Sequence, residues 1–349
     1  MPYTSYCLKI IGTMAYLSFF LLTLHDYFFI NKKAMEYLIL VAGLVLIIVG
    51  AMILTDGSVA LAERLHVPEF IVGLTVVAIG TSMPELTVSL FSAIDGKGDM
   101  AIGNVVGSNI FNIFATLGIC AIVAPIIFTK TNIRRDIPIC IAATLALLVV
   151  TLIDNNITRL EGIILLVGYI AMIYLTIRAD RKSMATAPTP NTEEQSQSKA
   201  SMSALRIGLY IVAGLGGLIY GGQLCVDSAT EIARSLGVSE ATIAITLVAG
   251  GTSLPELASC LASILKGKTS LALGNVLGSN IANILLILGS CSSVTPLTMG
   301  NIKMFDIYVT MAGVAILMLS ALFIGRDKLT RLEGILFLAI YVAYVFTLM

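Results

Sequence analysis

Charge is scarce in this sequence: only 12% of its 349 residues are charged, whereas soluble domains carry about 25%. A soluble fold of this length would lack the polar surface to remain in water, which excludes a soluble enzyme, a nucleic-acid-binding protein and a disordered scaffold. Lysine plus arginine and aspartate plus glutamate both number 21, so no net charge favours a nucleic acid or another polyanion. With 57% hydrophobic residues and a mean hydropathy of +0.96, the predicted partner is the lipid bilayer.

Soft metal ligands are equally scarce. Only two histidines occur, His25 and His66, so neither a histidine-rich metal site nor a Ser-His-Asp triad is available. No cysteines form a Cys-x-x-Cys pair or show metal-ligand spacing, and we interpret them as small apolar residues within helices. The six are Cys7, Cys120, Cys140, Cys225, Cys260 and Cys291. We therefore expect no cofactor and no enzymatic activity.

Long apolar segments make up most of the chain. A membrane span needs about 20 mostly apolar residues, so the sequence predicts an all-α polytopic membrane protein with ten transmembrane helices after position 35. Residues 1–34 hold a further apolar stretch, which we interpret as an extra N-terminal segment or as a start assigned too early, with Met35 as the native first residue. The ten spans are 36–54, 68–93, 101–127, 137–153, 160–177, 204–223, 239–265, 270–297, 305–325 and 332–349.

A polar stretch, Arg178 to Ser203, separates two sets of five spans. Its composition cannot bury apolar area, so we predict a flexible linker at 179–203 between repeats at 35–178 and 204–349. If the linker is cytoplasmic, fourteen basic residues lie in loops on its side of the bilayer. Only four lie on the other side: Lys97, Arg159, Arg234 and Lys303. Because cytoplasmic loops are enriched in lysine and arginine, we predict a cytoplasmic linker and a location in a bacterial inner membrane.

The two halves carry the same motifs in the same order. GTSMPE at 80–85 recurs as GTSLPE at 251–256, and GNVVGSNIFN at 103–112 recurs as GNVLGSNIAN at 274–283, at an offset of 171 residues. Since each half has five spans, the second half enters the membrane in the opposite orientation. Inverted repeats are typical of transporters, which place the ion site between the repeats near the midplane. A channel could also arise by duplication.

Two carboxylates, Glu85 and Glu256, lie well inside apolar spans. An ionised group at the bilayer centre costs about 2.5–3.5 kcal/mol, so a pair at equivalent positions indicates a cation site; the alternative is a protonated pair that hydrogen-bonds between helices. A proline precedes each glutamate, and because proline removes a backbone N–H and clashes with the preceding turn, it should free carbonyl groups in mid-membrane. Neighbouring hydroxyls add oxygen donors: Thr81, Ser82, Thr252 and Ser253.

The second motif supplies amide and hydroxyl groups. Asn112 and Asn283 each follow another asparagine by three residues, on the same helical face. The alternative role is polar contact between helices, which we favour for Asn104 and Asn275 but not for Asn112 and Asn283. Ser108 and Ser279 lie beside this face. An all-oxygen set with two negative charges suits Ca²⁺ and Na⁺-like hard ions, so the residues alone predict a hard-cation transporter.

With these duplicated motifs, the sequence resembles the sodium/calcium exchanger family of the calcium:cation antiporter superfamily from about Met35 to Met349. The resemblance implies alternating access, with sodium or another monovalent cation moving opposite to calcium. It implies Glu85 and Glu256 as the main calcium ligands. The other implied ligands are main-chain carbonyls of Thr81 and Thr252 for calcium, carbonyls of Ala78 and Ala249 for sodium, flanking sodium sites at Ser82, Ser253, Ser108 and Ser279, and Asn112 at the centre.

One position departs from the family pattern, because many members have aspartate where this chain has Asn283. With asparagine at both 112 and 283, the centre carries a charge of at most −2. One Ca²⁺ or two Na⁺ would neutralise it, whereas a third Na⁺ would leave a positive charge in a low-dielectric environment. We therefore hypothesise fewer than three monovalent ions per Ca²⁺, or a different co-ion.

Three other functions are alternatives to sodium/calcium exchange. Proton/calcium exchangers usually have Gly-Asn-Ala-x-Glu where this chain has Thr-Ser-x-Pro-Glu, which disfavours H⁺ as the counter-ion, and potassium dependence is a further variant. A passive cation channel is disfavoured because no carbonyl-ring filter motif is present. The sequence does not define the oligomeric state, and a monomer is compatible with it.

Overall fold

The computed structural model describes residues 3–186, 202–238, 249–300, 302–325 and 327–348, with side chains described from position 34 onward except at 154, 181–186 and 249. Helices dominate this part of the chain. They are α1 (Tyr3–Leu65), α2 (Glu69–Thr81), α3 (Met83–Ile94), α4 (Gly98–Val123), α5 (Asn132–Ile153), α6 (Arg159–Thr186), α7 (Ala204–Ser235), α8 (Ala249–Gly251), α9 (Leu254–Leu265), α10 (Thr269–Val294), α11 (Met304–Ile324) and α12 (Arg331–Leu348).

Most predicted spans are confirmed as helices of membrane-crossing length. Eight helices among the described residues are long and apolar enough to cross a bilayer, and α2 with α3 forms a ninth span that bends by 47° at its break. The remaining predicted span, 239–265, is described only over α8 and the apolar helix α9. Residues 239–248 of that span lie outside the described part of the chain.

Two predicted spans are too short. The spans at 36–54 and 204–223 correspond to apolar helices of 32 residues each, Ala34–Leu65 within α1 and Ala204–Ser235. These helices pack against each other antiparallel, and a Cβ atom on Gly50 would lie 2.9 Å from the carbonyl oxygen of Gly214. The close contact continues through their polar ends, so Asp56 and Asp227 do not end the helices as a pure apolar count assumes.

Short strands link the two repeats. The strands are β1 (Ile126–Ile127), β2 (Asn156–Ile157), β3 (Leu297–Thr298) and β4 (Lys328–Leu329). The β1 strand pairs antiparallel with β4, and β2 pairs antiparallel with β3. Each ladder joins a strand of one repeat to a strand of the other, so the inverted repeats are interlocked.

The repeated sequence Thr-Arg-Leu-Glu-Gly begins the last helix of each repeat. In α6, the Thr158 N–H donates to Glu161 Oε2 (2.7 Å), and the Glu161 N–H donates to Thr158 Oγ1 (3.3 Å). Thr330 and Glu333 make the same two contacts before α12. Each pair is a capping box, which satisfies backbone donors at a helix start, so this repeat has a structural role.

Burial identifies the centre of the molecule. In α10, 89% of the most apolar 18-residue segment is buried, and in α4 the value is 78%. In α12 it is only 17%. The outer helices expose large apolar side chains, among them Val212 and Leu332, as expected where the surrounding solvent is lipid. The polar residues of the two motifs therefore lie on the most enclosed elements.

Candidate functional site

Two helices begin in the middle of the molecule. The α2 helix ends at Thr81, Ser82 takes a non-helical conformation, and α3 begins at Met83, which places Glu85 in its first turn. The second motif repeats this arrangement, with Glu256 in the first turn of α9. Proline is tolerated in a first turn because the N–H that it lacks would have no helical partner there. A helix N-terminus also favours a carboxylate through its dipole.

Each glutamate accepts a hydrogen bond from a serine of the other repeat. Ser82 Oγ donates to Glu256 Oε1 (2.8 Å), and Ser253 Oγ donates to Glu85 Oε1 (3.0 Å). Ser108 Oγ also donates to Glu85 Oε1 (3.4 Å). Both glutamates are completely buried. The structure therefore brings five of the predicted site residues into one cluster.

The asparagines of α4 and α10 meet at the same centre. Asn283 Nδ2 donates to Asn109 Oδ1 (3.0 Å), and Asn109 Nδ2 donates to the carbonyl oxygen of Asn280 (3.2 Å). Asn112 is completely buried, yet neither its Oδ1 nor its Nδ2 has a hydrogen-bond partner within the described residues. Asn112 can therefore bind a ligand through its oxygen, and so can Asn283, whose Nδ2 donates to Asn109 but whose Oδ1 has no partner within the described residues.

Both asparagine motifs continue into π-helical turns, Phe111–Thr116 and Asn283–Leu288. Such turns are often found at functional sites, and the sequence motif gave no indication of them. The Thr116 hydroxyl is buried without a partner in the described structure. Its equivalent at the repeat offset is Ile287, so the comparison of repeats could not have selected it.

The remaining predicted ligands differ in their contacts. Thr81 Oγ1 donates to the Val77 carbonyl (3.0 Å) and to Asn275 Oδ1 (3.3 Å). The Ala78 carbonyl accepts the Ser82 N–H (3.1 Å) and also a long hydrogen bond from Thr81 Oγ1 (3.4 Å). The hydroxyls of Thr252 and Ser279 make no hydrogen bond within 3.5 Å in the described part of the chain, although Thr252 lies near Glu85 and Ser279 lies near Glu256. Ala249 is the first residue of α8, and its side chain is not among those that the structure describes.

The expectation for Asn104 and Asn275 agrees with their contacts. Asn104 Nδ2 donates to Ser89 Oγ (2.9 Å), and Asn275 Nδ2 donates to Cys260 Sγ (3.2 Å). The partners are equivalent positions in the two repeats. The five described cysteines are unbridged and buried. These residues join neighbouring helices, as predicted.

Several oxygens at the centre have no partner. Glu85 Oε2 and Glu256 Oε2 are buried without a hydrogen bond among the described residues, and a buried polar atom left without one costs about 1–3 kcal/mol. A hard cation would satisfy both carboxylates. No group of three or more histidine, cysteine, aspartate or glutamate side chains able to hold a metal occurs in the described chain. The donors fit a cation bound by two carboxylates and neutral oxygens.

A cleft of 450 Å³ leads to this cluster. It lies between α7 and the two broken-helix motifs, and reaches Thr252 and Pro255 beside Glu256. Its polar side chains include Gln223 and Asp227. The cleft therefore ends beside the buried glutamates, which do not themselves line it.

Interlocked inverted repeats, broken helices and two enclosed carboxylates define the chain as a secondary transporter for cations. The family model described as sodium/calcium exchanger protein matches residues 35–178 and 207–349. The chain belongs to the sodium/calcium exchanger family, and it is a calcium/cation antiporter.

Similar proteins span almost the whole chain. CaxA of Alkalimonas amylolytica is 37% identical over 308 residues, which is 88% of this chain and 96% of CaxA. Inner membrane protein YrbG of Escherichia coli is 34% identical over 74% of this chain and 79% of its own length. A structure of the sodium-calcium exchanger NCX_Mj, soaked with Na⁺ and Ca²⁺, superposes with a TM-score of 0.77 at 32% identity, covering 90% of this chain and 99% of that chain.

Proposed function

We propose that this chain exchanges Ca²⁺ for Na⁺ at a single central site built on Glu85 and Glu256. The observation that carries the proposal is the pair of completely buried carboxylates, each held at Oε1 by a serine of the opposite repeat and each with Oε2 unpartnered in the described structure. A cation bound between them would contact both repeats. Its arrival or departure would therefore change the contact that relates one repeat to the other.

The proposed calcium ligands are the carboxylates of Glu85 and Glu256 and the main-chain carbonyls of Thr81 and Thr252. Neutral oxygens next to them would bind sodium, which needs less charge per ion. The proposed sodium ligands are the carbonyls of Ala78 and Ala249 and the hydroxyls of Ser82, Ser253, Ser108 and Ser279, with Asn112 and Asn283 at the centre. Because calcium and sodium would share both carboxylates, they would compete for the same negative charge.

The charge of the site sets a limit on the counter-ion. With asparagine at 112 and 283, the two glutamates are the only acids we assign to the site, and two Na⁺ balance them as well as one Ca²⁺. We propose that fewer than three monovalent ions move per Ca²⁺. Simultaneous measurement of calcium flux and current in proteoliposomes tests this, and a three-to-one electrogenic exchange would refute it.

The proposed arrangement in the cell is two inverted repeats, 35–178 and 204–349, joined by a cytoplasmic linker at 179–203 in a bacterial inner membrane. The first part of this linker, as far as Thr186, continues α6 as helix, so the prediction of a flexible segment is wrong there, and residues 187–201 lie outside the described part of the chain. The excess of lysine and arginine on the linker side supports this orientation. The name of YrbG, an inner membrane protein, supports the location. Since one chain holds both repeats, a monomer suffices for the site, and no enzymatic cofactor enters the proposal.

The deciding experiment is ⁴⁵Ca²⁺ uptake into proteoliposomes under sodium, potassium and proton gradients applied in turn. We expect outward-directed sodium to drive uptake against the calcium gradient. Uptake driven by a pH gradient without sodium would replace Na⁺ by H⁺ as counter-ion. Calcium movement that continues without any counter-ion would instead indicate a channel.

A further inference from the structure

The two ends of the α1–α7 pair have different structures, although the sequence repeat makes their residues equivalent. These equivalent helices are antiparallel, with Gly43 near Cys225 and Gly57 near Tyr210. Asp56 and Asp227, which are equivalent at the offset of 171 residues, therefore lie at opposite ends of the pair. Asp227 lines the open cleft. We call its end the cleft end, and the end with Asp56 the linker end, because α7 begins there after the linker.

The linker end is closed by contacts between α1 and α9. Lys266, just after α9, donates from Nζ to Asp56 Oδ1 (2.6 Å) and to the carbonyl oxygen of Met52 (2.8 Å). One turn further in, Thr55 Oγ1 and Ser263 Oγ share a hydrogen bond of 3.3 Å. Two layers of contacts, one ionic and one between hydroxyls, thus hold α9 against α1.

Equivalent positions show that the linker end is the closed form of the cleft. Val88 on α3 lines the cleft and is 40% exposed, whereas its equivalent Ser259 on α9 is only 2% exposed. Val226 of the cleft corresponds to Thr55, whose side chain is buried at the linker end. In an inverted repeat, opening one end and closing the other exchanges the two conformations. Thr55 and Ser259 would then line the second access path.

The ion pair itself has no counterpart at the cleft end. The position equivalent to Lys266 is Asp95, so the repeat offset pairs Asp95 with Asp227 where the linker end has opposite charges. Closing the cleft in the same way would bring two carboxylates together, and like charges repel. The linker end has a second ion pair, between Lys268 and Glu69 (2.6 Å). Unlike the first pair, it could have a counterpart at the cleft end. Its equivalents are Lys97 and Glu240, again of opposite charge.

We propose that the Asp56–Lys266 ion pair is a latch that keeps the access path at the linker end closed and makes the cleft-open state the resting state. The proposal rests on the proposed antiport, because only alternating access requires the linker end to open. Asp56 is half exposed, so solvent screens the pair and its contribution is small. We therefore expect its loss to shift the ratio of the two states by about two- to fivefold, not to abolish transport.

The test uses cysteine reporters at the equivalent positions Ser259 and Val88 in purified protein. The rate of modification by a small cationic thiol reagent is measured, and labelling of the chain without a reporter is subtracted. With Lys266→Gln, we expect the Ser259→Cys reporter to react about two- to fivefold faster and the Val88→Cys reporter to react more slowly. The exchange Asp56→Lys with Lys266→Asp should restore both rates. Lys328→Gln removes an exposed positive charge from a strand and serves as the matched control.

Calcium exchange by the same preparations separates the possible failures. If the parent chain exchanges calcium and Lys266→Gln leaves both labelling rates unchanged, the latch is refuted. The latch is also refuted if Lys328→Gln changes the rates as much as Lys266→Gln does, or if the double charge exchange does not restore them. If the parent chain moves no calcium under any ion gradient, the proposed function fails, whatever the labelling shows.

Discussion

The two repeats present the same residues to the site but hold their glutamates differently. Glu85 accepts hydrogen bonds from two hydroxyls, Ser253 (3.0 Å) and Ser108 (3.4 Å). Glu256 accepts one within 3.5 Å, from Ser82 (2.8 Å), while Ser279, the equivalent of Ser108, lies near Glu256 without making a hydrogen bond of that length. Two repeats with equivalent sequences thus take unequal conformations, which is the condition that alternating access requires.

The asparagines show the same inequality. Asn283 on α10 donates to Asn109, whereas its equivalent Asn112 on α4 makes no hydrogen bond with the described residues. The Nδ2 of Asn283 is therefore part of the contact between the central helices, while its Oδ1, like both polar side-chain atoms of Asn112, remains available to an ion. Equivalence in the sequence consequently does not mean equivalence of role in a given state. Substitutions at equivalent positions of the two repeats should therefore reveal the difference.

The largest expected effect comes from removing either buried charge. Glu85→Gln and Glu256→Gln should each lower calcium exchange by about 100-fold or more, equivalent to about 3 kcal/mol, because each glutamate supplies half of the charge that balances Ca²⁺. The effect should be equal in the two repeats, despite their unequal hydrogen bonds. The measurement is ⁴⁵Ca²⁺ uptake in proteoliposomes, with Glu161→Gln, in the α6 capping box, as control. Full exchange by either site variant would remove that residue from the site.

Adding a charge should distinguish the two asparagines. Asn112→Asp and Asn283→Asp would each add one negative charge and change the charge of the site from −2 to −3. We therefore expect both substitutions to increase the number of sodium ions coupled to each calcium. Only Asn283→Asp loses the hydrogen bond from Nδ2 to Asn109, which should destabilise the protein by about 1–3 kcal/mol. Current-to-flux ratios measure the coupling, and thermal unfolding measures the stability. Equal stability of the two variants would contradict the unequal contacts.

The serines provide a finer comparison. Ser82→Ala removes the hydroxyl contact of Glu256, whereas Ser253→Ala leaves Glu85 its contact with Ser108. A net hydrogen bond to a charged group is worth about 1.5–3 kcal/mol. We therefore expect Ser82→Ala to raise the calcium concentration for half-maximal transport by about tenfold, and Ser253→Ala to have a smaller effect. If Ser253→Ala raised the calcium concentration for half-maximal transport more than Ser82→Ala, the unequal hydrogen bonding of the two glutamates would not control calcium binding.

Much of this architecture follows from the sequence because it is duplicated. The helix breaks before Glu85 and Glu256 and the inverted arrangement could be predicted from proline, the repeat offset and an odd number of spans. The partners across the interface could not, since the offset relates Ser82 to Ser253 without indicating that each contacts the other repeat's glutamate. The pairing of Lys266 with Asp56, 210 residues apart, and the π-helical turns likewise depend on packing. Apolar counts also underestimated α1 and α7, because a helix continues through polar residues at its ends when the rest of it is packed against a neighbour.

The smallest effect on transport is expected at the capping boxes, which lie outside the site and occur in both repeats. Glu333 is buried and also accepts a hydrogen bond from Ser320. Glu161 is only partly buried, and among the described residues its carboxylate accepts hydrogen bonds from Thr158 alone. Glu333→Gln should therefore lower stability by about 1–2 kcal/mol and Glu161→Gln by less, with calcium exchange per folded molecule unchanged in both. Thermal unfolding and ⁴⁵Ca²⁺ uptake measure the two quantities. A loss of exchange in Glu333→Gln without a loss of stability would show that this end of α12 takes part in transport. Glu333 would then not be a purely structural residue.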